Sequence, residues 1–336
     1  MNISLKFNKL SLKLFTALSF FSCDVEDNES YPLPLLPTIT EFVASNSDLT
    51  NLAAALSAAD GNLLNLLNNG NYTLLAPNNF AFELWLGTNG FNSMDEVPTD
   101  VLKNILLNHV ITGTVQSSDL TGAGSGYTST NATNTDGDFL NMYFSTSNGI
   151  VFNGVTNVLN PDIATSNGVV HVVDILIELP TVVTFASTNP GFETLVTALT
   201  RDDLSEDLVS ILSTTNEPAP FTVFAPTNEA FSSLLSELGF ESLNDIDTDI
   251  LESTLATHVV AEANVRFEDL SNGMIITTIG DDLSISVGAG PQLVDLNSRT
   301  ANIIAVDIQA YNGVIHVIDN VMLSLIHISE PTRHSS

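Results

Sequence analysis

The chain has 336 residues, room for two domains of about 150 residues each, and sets 39 acidic side chains against 8 basic ones for a formal net charge of -31. So few cations exclude nucleic acid as a partner, because phosphates are held by Lys and Arg. A composition 44% hydrophobic and only 14% charged excludes a disordered acidic polymer, and a single cysteine excludes an internal disulfide or a cysteine-cluster metal site.

At the N-terminus, Lys6, Lys9 and Lys13 precede an apolar run from Leu14 to Phe21, and small Ser22 stands directly before Cys23. That order of basic, apolar and small residues predicts a secretory signal over 1–22, with an apolar run too short to span a bilayer. Because the cysteine of the chain falls at the cleavage point, the pattern predicts a bacterial lipoprotein acylated at Cys23. Asp24, Glu26, Asp27 and Glu29, then Pro32, Pro34 and Pro37, follow. This stretch, 23–37, reads as an extended tether holding the remainder off a membrane surface.

Beyond the tether, Leu49, Leu52, Ala55 and Leu56 keep helical spacing, as Phe192, Leu195, Ala198 and Leu199 do later, so each half is expected to open with an amphipathic helix. Thr73-Leu-Leu-Ala-Pro and Thr222-Val-Phe-Ala-Pro read as strands running into helices capped by Asn78 and Thr227. Further helices are predicted over 100–110 and 249–260. Strands are predicted over 139–144 and 169–173 in the first half, and over 275–279, 283–287, 303–308 and 314–318 in the second. Helices gathered early and strands late make the fold class α+β.

The two halves are copies of each other. Four blocks recur in the same order at a nearly constant offset: Phe42 to Leu52 as Phe185 to Leu195, Thr73 to Phe82 as Thr222 to Phe231, Leu106 to Ile111 as Leu255 to Val260, and Asn167 to Asp174 as Asn312 to Asp319. Small drifts in the offset predict a longer loop around Gly122 to Asp138 in the first copy and near Thr214 to Pro220 in the second. The copies, 38–179 and 180–325, meet at Leu179-Pro180, leaving a linker too short for independent tumbling. Residues 326–336 have no counterpart in the first copy and read as a non-native or disordered tail.

The segment Thr222-Val-Phe-Ala-Pro-Thr-Asn-Glu-Ala-Phe231 and the segment Asn312-Gly-Val-Ile-His-Val-Ile-Asp319, each matched in the first copy, resemble the two characteristic stretches of the fasciclin domain. The resemblance runs over about residues 38–325 in tandem. It implies two domains, each a β-wedge or sandwich with helices packed along one edge, and a role in adhesion or matrix binding without catalysis. The family's Tyr-His adhesion motif falls on Asn108-His109 and Thr257-His258, matching at the histidines and departing at the tyrosines, so His109 and His258 are the expected adhesion-motif positions.

His171 with Asp174, and His316 with Asp319, have the spacing of a catalytic or metal-binding pair. In a strand, however, residues three apart face opposite sides, and neither a Gly-x-Ser-x-Gly elbow nor a His-Glu-x-x-His helix accompanies them. They are therefore expected to be structural, with ring nitrogens satisfied by backbone. Asn134-Thr-Asp136-Gly-Asp138 hints at calcium but lacks EF-hand spacing and its bidentate Glu, and reads instead as a flexible loop.

These observations predict a surface-tethered, non-catalytic lipoprotein without cofactor or metal, binding extracellular polysaccharide, matrix or a cell-surface protein. It would touch the membrane only through its lipid and reside on the bacterial outer membrane or cell surface, or otherwise be secreted or periplasmic. The competing expectation is an enzyme or small-molecule carrier with a pocket between the two domains.

Overall fold

A computed structural model describes residues 35–59, 62–288 and 290–324. Cys23 with its signal, most of the tether, and the tail over 326–336 lie outside the described residues.

The first domain contains helices α1 (Ile39–Ser45), α2 (Thr50–Ala58), α3 (Asn62–Asn69), α4 (Asn79–Thr88), α5 (Thr99–Asn108) and α6 (Ser117–Ala123). Its strands are β1 (Tyr72–Pro77), β2 (Val110–Thr112), β3 (Ser125–Thr133), β4 (Phe139–Ser145), β5 (Val151–Phe152), β6 (Thr156–Thr165) and β7 (Gly168–Val173). The second domain repeats the plan with α7 (Val182–Thr188), α8 (Glu193–Leu199), α9 (Leu208–Ser213), α10 (Asn228–Leu238) and α11 (Thr248–Thr257). Its strands are β8 (Phe221–Pro226), β9 (Val259–Val260), β10 (Ile275–Ile276), β11 (Leu283–Ser286), β12 (Gln292–Val294), β13 (Thr300–Ala310) and β14 (Gly313–Ile318). The sheets have matching orders, β2-β1-β7-β6-β5-β4-β3 and β9-β8-β14-β13-β12-β11-β10.

At the centre of each sheet the two characteristic segments lie side by side and parallel. Leu75 pairs with His171 in the first domain, and Phe224 with His316 in the second. Strand alternation then divides the core. Leu74 and Ala76 face the helices with Leu52, Leu56 and Leu106, while Leu75 faces Met142, Phe144 and Phe152 on the far side. In the second domain Val223 and Ala225 take the helix side and Phe224 the other.

Several expectations are corrected. Each domain opens one helix earlier than the apolar spacing suggested. Thr38 caps α1 in a box with Glu41, and Thr181 caps α7 in a box with Thr184; such caps nucleate short helices that periodicity cannot reveal. Val110 and Val259–Val260 leave their helices and become strands, because His109 and His258 end α5 and α11. The expected loop from Gly122 to Asp138 is mostly strand β3, whose Tyr and Thr residues suit a pleated surface despite its polarity. The expected strand over 275–279 pairs only at Ile275–Ile276.

Tyr143 of the first domain is 3% exposed and packs into the core of the second beside Phe185. The described residues from 36 onward accordingly fall in one compact unit.

Candidate functional site

The four repeated histidines are buried and each is held by two backbone groups. His109 Nδ1 donates to Ile105 O at 2.8 Å, and the Ile177 amide donates to His109 Nε2 at 2.9 Å. His258 repeats this with Thr254 O at 2.7 Å and the Met322 amide at 3.0 Å. An amide can only donate, so both rings carry their proton on Nδ1. Burial pushes each down from 6.5 to about 4, a shift only partly offset by the hydrogen bond to the helix carbonyl. These rings fasten the last segment of each domain to the end of a helix. They lie 0% and 3% exposed, so the expected adhesion-motif positions present no surface to a partner.

His171 and His316 take the opposite tautomer. His171 Nε2 donates to Val115 O at 2.9 Å and Nδ1 accepts the Asp162 amide at 3.1 Å. His316 Nε2 donates to Val265 O at 2.9 Å and Nδ1 accepts the Asp307 amide at 3.4 Å. Asp162 and Asp307 have φ of 60° and 56° at a bulge, which turns their amides out of the ladder toward the ring. Their carboxylates then accept the amides of Ser117 and Phe267 at 2.8 Å each. The threonines of the other segment grip the same loop: Thr73 Oγ1 donates to Gly113 O and accepts the Val115 amide, both at 2.8 Å, and Thr222 Oγ1 donates to Ala263 O at 2.8 Å and accepts the Val265 amide at 2.9 Å. Asp162 and Asp307 escaped the sequence reading, although each stands nine residues before its histidine in both copies.

Asp174 and Asp319 turn away from those histidines. Asp174 accepts the Asn157 amide and side chain at 2.7 and 2.8 Å, and Asp319 does the same with Asn302 at 2.7 and 2.5 Å. Asn167 and Asn312 accept the first amides of α1 and α7, from Ile39 and Val182, and donate to Leu67 O and Leu212 O. The following glycines permit a close crossing, since a Cβ on Gly168 (φ +148°) would lie 1.9 Å from Tyr72 O, and on Gly313 (φ +154°) 2.1 Å from Phe221 O. The Asn, His and Asp of these stretches thus staple backbone and the Gly clears a close approach, while the valines and isoleucines between them pack in the cores. Among the described residues no group of three or more His, Cys, Asp or Glu is arranged to hold a metal ion.

The Asn134–Asp138 turn is ordered and belongs to the domain junction, which corrects its reading as a flexible loop. Asn134 Oδ1 accepts the amides of Asp136 and Asp138, and its Nδ2 donates to Gln309 at 3.2 Å. Asp138 accepts from Arg266 Nη1 at 3.1 Å and Asn264 Nδ2 at 3.0 Å, both from the second domain. Nearby, the Tyr127 ring stands edge-on to Phe185 with centroids 5.3 Å apart, and its hydroxyl accepts from Asn189.

A second junction feature is a cleft of about 500 Å³ between α4, the β5–β6 turn, the connecting strap 175–181 and α7. Trp85 lines it, with Nε1 donating to Glu178 at 3.0 Å, and so do half-exposed Leu84 and Val155. His109 anchors the strap behind it through Ile177, and Asn108 Nδ2 donates to Glu178 O at 3.0 Å.

The family model for the Fasciclin domain matches twice in tandem, at residues 47–180 and 190–324. The chain belongs to the fasciclin domain family. Two proteins of Synechocystis are similar: Protein sll1483, 36% identical over 143 residues, covering 43% of this chain and 73% of its own, and Uncharacterized protein sll1735, 34% identical over 145 residues, covering 43% and 98%. Among solved structures, a FAS1 domain pair from the insect cell adhesion molecule Fasciclin I is 21% identical, covering 82% of this chain and 97% of its own with a TM-score of 0.48. Fasciclin domains are generally associated with adhesion, are usually extracellular or surface-borne and are typically non-catalytic. No helix among the described residues is long and apolar enough to cross a membrane.

Proposed function

We propose that this fasciclin protein is a surface-tethered, non-catalytic adhesion module, acylated at Cys23, that binds extracellular polysaccharide, matrix or a cell-surface protein through two domains acting as one rigid body. The observation that carries this reading is the full use of the motif residues. His109, His171, His258 and His316, with Asp174 and Asp319, spend their polar atoms on backbone groups and neighbouring side chains of their own domain. What remains for function is the outer surface, polar and anionic, with few basic residues to attract anionic partners.

The anchoring half of the reading is tested by metabolic labelling with a fatty-acid analogue and membrane fractionation. The full chain should take the label and sediment with membranes, while Cys23→Ser should stay unlabelled and soluble; equal labelling of the two would remove the lipoprotein. For the binding half, cells displaying the full chain should resist detachment by flow from a polysaccharide-coated surface better than cells lacking it. Equal detachment would overturn adhesion.

A further inference from the structure

We propose that the cleft at the domain junction is a binding site for a neutral glycan. The assignment rests on the polysaccharide-binding reading above and gives it a location. A volume of about 500 Å³ suits a few sugar rings, and junctions between domains are where ligand clefts concentrate. The chemistry of the walls narrows the class. In a protein of net charge -31, Glu178 is the one ionisable residue on the described lining, and its Oε1 accepts from both Trp85 Nε1 and Asn89 Nδ2. An anionic ligand would meet that carboxylate and the repulsion of the whole molecule.

The remaining lining alternates hydroxyls with apolar surface. Thr88, Thr184, Ser187 and Thr188 stand beside Leu84 and Val155, which are 44% and 59% exposed. A sugar ring presents that same pairing, hydroxyls at its rim and C–H groups on its faces. Thr156 adds an independent sign: it is fully buried on the cleft wall with a hydroxyl that has no hydrogen-bond partner. A buried hydroxyl left alone costs about 1–3 kcal/mol, a cost that a ligand hydroxyl brought to that wall would relieve. The second copy does not repeat the site. At the positions of Leu84, Trp85 and Thr88, α10 carries Ser233, Leu234 and Glu237, the last paired with Arg299 at 2.6 Å.

Trp85 is the only tryptophan of the chain, so its emission reports on the cleft directly. The full-length protein is titrated with cellohexaose, maltohexaose and mannohexaose as neutral probes, and with an alginate hexasaccharide as an anionic one. A neutral hexasaccharide should shift Trp85 emission saturably, while alginate should not. Leu84→Arg and Ser187→Arg, both at exposed positions, should weaken that binding about tenfold or more. Ile279→Arg, on an exposed position of the second domain, should leave it unchanged. Undiminished binding in both cleft variants, binding of alginate alone, or no response to any neutral probe would overturn the assignment. Wild type and cleft variants adhering equally to a polysaccharide surface would sink the cleft while sparing the adhesive reading; a wild type that adheres to nothing would sink the adhesive reading itself.

Discussion

Acidification should unfold this protein through the two histidines that close its domains. His109 and His258 sit wholly buried and neutral, each pushed from 6.5 to about 4 by burial. Below about pH 6.5 the unfolded chain takes up a proton at each site, whereas the folded chain does so only near pH 4. The folded state of a base with a lowered pKa loses stability as pH falls, so this contribution is complete above about pH 6.5 and gone near pH 4. The slope is about 1.4 kcal/mol per pH unit for each histidine, or about 3 kcal/mol apiece across the window. Together that is about 6 kcal/mol, comparable with the whole stability of an ordinary domain, about 5–15 kcal/mol. Guanidinium unfolding at about pH 7, 6 and 5, in moderate salt to screen the acidic surface, measures the slope. His109→Gln should start about 1–3 kcal/mol less stable, yet lose stability with acid about 1.4 kcal/mol per unit less steeply than wild type. Equal slopes in the two proteins would refute a buried, neutral His109.

Gly313→Ala would set a Cβ 2.1 Å from Phe221 O at the central parallel pairing. It should cost more than about 3 kcal/mol, so a melting temperature unchanged within a degree would contradict the crossing described here. Tyr143→Ala removes a first-domain ring from the second domain's core and should cost about 3–5 kcal/mol. In calorimetry it should also split one transition into two, and a single sharp transition in the variant would show that Tyr143 does not carry the coupling between the domains.

Residues with a strict local task were the most legible in the sequence. Asn312, Gly313 and His316 stand out because each staples or clears backbone in a way other side chains cannot, and the same task recurs in Asn167, Gly168 and His171. Helices α1 and α7 were not legible from apolar spacing, because seven residues make too few turns for a pattern and their caps carry the signal instead. Strands β6 and β13 were partly hidden by the bulges at Asp162 and Asp307, which interrupt the alternation a strand is recognised by. The junction was the least legible feature. Tyr127, Tyr143 and Asp138 look like ordinary strand and turn residues until the second domain is placed against them, and no pattern within one copy reports a partner supplied by the other.

The claim on which the account turns is that the motif histidines hold the fold and leave binding to the surface. Cells displaying the full chain, its His171→Gln variant or its His316→Gln variant should be compared for adhesion per folded molecule, well below each melting temperature, with the melting temperatures measured on the purified proteins. Loss of a buried ring bonded to two backbone groups should cost about 1–3 kcal/mol and lower the melting temperature by several degrees, while adhesion per folded molecule stays at the wild-type value. Adhesion abolished in variants that melt as the wild type does would contradict the account.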